Sequence, residues 1–179
     1  VALSLDLSVQ HAMERELADA VTTYRAKGAA GVVLDVETGE VLAAASLPRV
    51  DPSQPTGASV PQQIDRISGG VYELGSIFKM MTVAQALDGG AVRPDTPIDV
   101  SQPVKFGRFE IKDHHGAGGA LAVRDVFIKS SNVGAARLAL QAGSEKQKLF
   151  LASLGLMDKG ETEAGPIAPP LVPRAWGEI

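Results

Sequence analysis

Apolar residues recur at helical spacing near the start of the chain. Val9, Ala12, Met13, Leu17, Ala20, Val21 and Tyr24 share one face of a helix predicted over residues 8–27. Asp6 or Ser8 supplies its cap, and Gly28 its stop. The pattern then turns to short β-rich runs. In GVVLDVETGEVLAAAS two of them flank Glu37-Thr38-Gly39-Glu40, which predicts a β-hairpin. Residues 48–70 carry Pro, Ser, Gln and Gly without a period and read as a long loop. A second helix is expected over 76–88, with Ile77, Met80, Met81, Ala84 and Leu87 as its buried stripe and Gly89-Gly90 as its end. Residues 91–119 look irregular apart from a small hairpin in VKFGRFEI. Helices follow over 123–128 and 133–141. A last one is expected to start at a Ser144/Gln147 capping box and to stop at Gly155. The Pro- and Gly-rich tail from Lys159 reads as loop.

Composition narrows this picture. At 179 residues the chain fits one domain, and with 4% aromatic residues its core must be aliphatic and alanine-rich. A net charge of −4 without a basic run gives no surface for nucleic acid. The lack of cysteine removes disulfides, thiolate zinc sites and cysteine nucleophiles together. No apolar run reaches the length of a membrane span, and the first ten residues do not read as a signal peptide.

Two motifs carry chemistry. In Gly75-Ser76-Ile77-Phe78-Lys79, serine and lysine lie three residues apart at a helix start, hence on one face. A hydroxyl is a poor nucleophile until a base takes its proton. Lysine can be that base only when neutral, which burial or a neighbouring cation favours. The helix N-terminus would also favour an oxyanion near the Ser76 N–H. Alone, such a pair more often marks a solvated cap and a free lysine. The second motif is Ser130-Ser131-Asn132, which contains the only asparagine of the chain. Ser131 or Asn132 suits the N-cap of the following helix. One Ser-x-x-Lys followed by one Ser-x-Asn, each at a helix start, is a rarer combination than either alone. Lys129 reads as surface charge, and Met80 and Met81 as core packing. His114-His115 reads as a loop pair without a matching metal-ligand set, and Trp176 suggests no role.

Ser-x-x-Lys with Ser-x-Asn resembles the active-serine signature of penicillin-binding proteins and the related β-lactamases. YELGSIFKMMTVAQAL is similar to the class B penicillin-binding protein pattern Y-x-P-G-S-T-F-K, and KSSNVGAARLAL to the second motif and its helix. GVVLDVETGEVLAAAS looks like the paired strands before the nucleophile, and LSLDLSVQ like the lead-in to the first helix. Leu74 and Ile77 replace the usual proline and threonine, neither of which does chemistry. The Tyr-Glu-Leu-Gly-Ser form looks more like the division-specific, FtsI-type branch than the elongation branch.

The resemblance implies an α+β fold, the α/β sandwich of the transpeptidase and β-lactamase-like superfamily, here helix-rich with an N-terminal hairpin. The chain divides into helix plus hairpin (1–47), loop (48–70), a helical part holding both motifs (71–156) and a tail (157–179). It implies Ser76 as acyl-accepting nucleophile, Lys79 as its base, Ser130 as proton relay and Asn132 as the residue that binds the substrate amide and helps to place Lys79. Substrates would be the D-Ala-D-Ala end of peptidoglycan stem peptides, mimicked by β-lactams, with no cofactor and no metal. The setting would be the periplasmic face of the inner membrane, with division-complex proteins as partners and a membrane anchor in the N-terminal part of the parent protein. The third motif of the signature, Lys-[Thr/Ser]-Gly, does not occur in these 179 residues. The expectation is therefore a domain cut before that motif, inactive or weakly active by itself, with a sheet edge left unpaired and prone to rearrange or self-associate. A β-lactamase or β-lactam sensor, or a non-catalytic division-complex scaffold, remain the alternatives.

Overall fold

The computed structural model describes residues 2–114, 118–162 and 165–173. The chain forms two compact units, Val1–Val71 with Lys159–Pro169, and Tyr72–Asp158 with Pro170–Ile179.

The first unit is a helix on a hairpin. Helix α1 (Leu7–Tyr24) is capped by Asp6, whose carboxylate accepts from the N–H groups of Ser8 and Val9. It ends earlier than its apolar pattern predicts, because Arg25 turns left-handed with φ 50°, and Gly28 is not its stop. Strands β1 (Ala29–Leu34) and β2 (Val41–Leu47) pair antiparallel. The turn between them is held by Asp35, whose carboxylate accepts from Glu37 and Thr38 N–H. The face with Gly31, Ala43 and Ala45 is covered by α1. A Cβ at Gly31 would lie 2.9 Å from the Met13 sulfur, so glycine lets the helix sit close. The Gln10 amide makes two bonds to Ala44, donating to its carbonyl at 3.0 Å and accepting from its N–H at 2.9 Å. Those bonds satisfy part of the outer edge of β2, while β1 has a strand neighbour on one side only among the described residues. The loop over 48–70 contains two 3₁₀ turns, Pro55–Gly57 and Val60–Gln62. The tail is not all loop. Glu161–Thr162 (β7) and Gly165–Pro166 (β8) form a minimal hairpin of this unit, and Ala168 N–H bonds the Ser68 carbonyl at 2.6 Å.

The second unit is mostly helical. Its elements are a 3₁₀ turn (Gly75–Phe78) running into α2 (Lys79–Asp88), then β3 (Pro97–Asp99), β4 (Val104–Phe106), β5 (Phe109–Ile111) and β6 (Ala120–Ala122). Helices α3 (Val123–Ile128), α4 (Asn132–Ala142) and α5 (Ser144–Ser153) follow. The expected VKFGRFEI hairpin is β4–β5, whereas the β3–β6 pair joins a strand inside the stretch read as irregular to one just after it. The core is aliphatic, built on Val83, Ala86, Ile98, Leu121, Val123, Val126, Val133 and Leu138.

Two expectations fail here. The predicted stripe of α2 is not the buried one: Ile77 is 68% and Met80 46% exposed, and Leu87 is exposed too. Met81 and Ala84 are only half-buried, and the helix buries Thr82, Val83, Gln85 and Ala86 instead. The helix is apolar on most sides, so its own pattern does not select a face, and packing against α3, α4 and α5 does. The Ser144/Gln147 capping box does not form either. Gly143, with φ 84°, takes the cap position and its carbonyl accepts the Gln147 N–H, which leaves Ser144 already inside the helix.

Gln85 is 4% exposed, and neither atom of its amide has a hydrogen-bond partner among the described residues. An unpaired buried amide costs about 1–3 kcal/mol. Gln85→Met, of similar volume, is therefore expected to raise the unfolding free energy by roughly 1–2 kcal/mol in denaturant titration. A fall in stability would show that the amide is paired after all.

Candidate active site

The buried stripe of α2 explains where Lys79 points. Lys79, Val83 and Ala86 follow the i, i+4, i+7 spacing of one helix face, and that face packs on α4. Lys79 thus stands at the outer end of the packed stripe, against the first turn of α4. Its ammonium donates to the Ser130 carbonyl at 2.6 Å, the Ser130 hydroxyl at 3.0 Å and Asn132 Oδ1 at 2.5 Å. Three donors meet three acceptors. Burial lowers the Lys79 pKa below the ordinary lysine value, and the charge of Asp113 works against that shift.

Ser130 lies between α3 and α4 with φ 53°, a left-handed conformation costing a non-glycine residue of order 1–3 kcal/mol. Its N–H bonds the Phe127 carbonyl, and Ser131 N–H bonds the Val126 carbonyl. Both its carbonyl and its hydroxyl face Lys79. Ser131, not Asn132, is the N-cap of α4, with its hydroxyl accepting from Gly134 N–H at 2.9 Å. Asn132 is the first helical residue. Its Oδ1 takes Lys79, and Nδ2 donates to the Lys112 carbonyl at 2.8 Å, which leaves one amide hydrogen without a partner among the described residues.

Ser76 lies on the exposed 3₁₀ turn one helical step before Lys79. No hydrogen bond joins its hydroxyl to Lys79, Ser130 or Asn132. The structure therefore brings Lys79, Ser130 and Asn132 into direct contact and sets Ser76 on the exposed turn that runs into α2, with no hydrogen bond from its hydroxyl to any of the three. The preceding Gly75 has φ 56°, and a Cβ there would meet nothing, so conformation alone asks for glycine.

Sequence reasoning missed Asp113. It follows β5, is half-buried, and its carboxylate accepts from Ser131 Oγ, Asn132 N–H and Val133 N–H. Its partners lie 18–20 residues downstream, so no local spacing announces it. Neighbouring His114 is exposed, while His115 and Trp176 lie outside the described residues. Lys129 is exposed, and among the described residues no cluster of three metal-binding side chains occurs.

The Penicillin binding protein transpeptidase domain model matches residues 29–167. The chain belongs to this transpeptidase family. A probable peptidoglycan D,D-transpeptidase FtsI of Caulobacter vibrioides is 39% identical over 176 residues, 98% of this chain and 30% of that protein. Peptidoglycan D,D-transpeptidase FtsI of Escherichia coli is 38% identical over 140 residues, 78% of this chain and 24% of that protein. The transpeptidase domain of Burkholderia pseudomallei penicillin-binding protein 3 superposes with a TM-score of 0.83 at 31% identity, covering 97% of this chain and 48% of that one. These likenesses put the chain on the class B, FtsI-type branch with an α+β fold. The chain thus spans about a third or less of the length of these curated relatives. Among the described residues no helix is long and apolar enough to cross a membrane.

Proposed function

We propose that this chain carries the acylating half of a serine D,D-transpeptidase that cross-links peptidoglycan stem peptides. One observation carries the reading: in a chain of this family, Lys79 is held by Ser130 and Asn132 one helical step from an exposed Ser76. A neutral Lys79 amine needs only two acceptors and keeps a lone pair, which can take the Ser76 proton. Ser76 Oγ then bonds the carbonyl carbon of the penultimate D-alanine. The carbon–nitrogen bond to the terminal D-alanine breaks, and Ser130 passes a proton to the departing nitrogen. Asn132 offers its remaining amide hydrogen to the substrate. An amine from a neighbouring stem attacks the ester, forms the cross-link and frees Ser76. In a β-lactam the broken amide stays tethered in the ring-opened product, so the enzyme stops at the acyl stage.

On the same reading the protein works in cell division at the periplasmic face of the inner membrane, alongside division-complex proteins. The test is turnover by the full-length protein on stem-peptide donors ending in D-Ala-D-Ala, with an amine acceptor. Free D-alanine and an acceptor-linked product, both lost in Ser76→Ala, support it. Rapid release of hydrolysed β-lactam without any cross-linked product would instead make it a β-lactamase.

The lowered Lys79 pKa fixes a pH dependence. The base is the neutral amine, so acylation rises with pH through the Lys79 pKa and levels off above it. Because burial lowers that pKa, the rise is expected below the ordinary lysine value of about 10.4. Rates of β-lactam adduct formation across pH would show it. A flat profile would deny Lys79 the role of base.

A further inference from the structure

We propose that Asp113 is a positioning residue of this site, pinning the start of α4 so that Ser130 and Asn132 stay against Lys79. The inference rests on the transpeptidase reading for what the site does, but on geometry for what Asp113 does.

Helix α4 opens with two backbone N–H groups that its own cap does not reach. Ser131 Oγ serves Gly134 N–H alone. The N–H groups of Asn132 and Val133 go instead to Asp113 Oδ1, at 2.5 and 3.1 Å, while Ser131 gives its hydroxyl hydrogen to Asp113 Oδ2 at 2.7 Å. Lys112 adds its carbonyl to the Asn132 amide at 2.8 Å. Two consecutive residues from the end of the β4–β5 hairpin thus hold all three residues that follow Ser130. A carboxylate at a helix N-terminus also meets the positive end of the helix dipole. The strained Ser130 turn needs such an anchor, because nothing in its own conformation favours φ 53°.

Asp113 also supplies the local charge. Helix α4 has no acid in its first turn, and Glu110 on β5 is paired with Lys112 at 2.7 Å. The Asp113 charge acts on Lys79 and favours the ammonium, against the larger effect of burial. The same carboxylate therefore fixes the geometry of the site and restrains its base from losing a proton too early.

Two variants separate these duties. Asp113→Asn keeps an acceptor for the α4 N–H groups and loses the charge. Asp113→Ala loses both. In the full-length protein, Asp113→Ala is expected to slow β-lactam acylation of Ser76 about 100-fold, and Asp113→Asn less than about tenfold at high pH. The Lys79 titration, followed by NMR of labelled lysine side chains, is expected to move to lower pH in Asp113→Asn, taking the rising limb of the acylation profile with it. A purely structural cap would lower the unfolding temperature of Asp113→Ala and leave the Lys79 titration of Asp113→Asn unmoved. That result, or Asp113→Ala acylating within about threefold of wild type, would overturn the inference. If wild type takes no β-lactam while the Lys79 titration still moves, the positioning role stands and the transpeptidase reading falls.

Discussion

Lys79→Arg is expected to fold like the wild type and to lose acylation of Ser76 by about 10²–10⁴-fold. Arginine keeps the positive charge and enough donors for the Ser130 carbonyl, the Ser130 hydroxyl and Asn132 Oδ1, which Lys79 bonds at 2.5–3.0 Å. What it cannot do at accessible pH is give up a proton and offer a lone pair. The variant thus separates the hydrogen-bonded scaffold from the base. Lys79→Ala removes both and is expected to lower stability as well, because it leaves the half-buried Asn132 Oδ1 without its donor. The check is the rate of β-lactam adduct formation beside the thermal midpoint for both variants. A Lys79→Arg protein that acylates at the wild-type rate would show that another group takes the Ser76 proton.

The second large effect is expected at Gly134, where α3 and α4 meet. A Cβ there would stand 2.6 and 2.7 Å from the two methyls of Val126 and 3.0 Å from Ser131 Oγ. Val126 is 1% exposed and β-branched, so it has no free direction in which to yield. Overpacking of this kind costs about 1–3 kcal/mol. The strain also falls on Ser131, which caps α4 and bonds Asp113. Gly134→Ala should therefore lower the unfolding temperature by several degrees and slow acylation as well. The pair of measurements is thermal unfolding and adduct rate. An unchanged midpoint would mean that the α3–α4 contact is looser than the structure has it.

How far the sequence foretells this molecule depends on the range of the interaction. Helix α1 and the hairpin were legible because Asp6, Asp35 and the apolar period act within a few residues. Helices α3 and α4 were legible for the same reason, with Ser131 as a visible cap. The β3–β6 pair was not, since each strand has three residues and they lie more than twenty positions apart. The buried face of α2 was misjudged because Ile77, Met80 and Leu87 are as apolar as Val83 and Ala86. Packing against α3, α4 and α5, which the helix pattern does not contain, decides between them. The site divides in the same way. Ser76, Lys79, Ser130 and Asn132 stood out as motif residues. The left-handed turn at Ser130 and the grip of Asp113 depend on tertiary contacts that no short spacing records.

The most direct test of the account is the intact mass of the full-length protein after incubation with a reactive β-lactam, with Ser76→Ala alongside. The account predicts one added β-lactam mass, carried on the peptide containing Ser76 and absent from the variant. An unmodified wild-type protein, or an adduct that persists in Ser76→Ala, would contradict it.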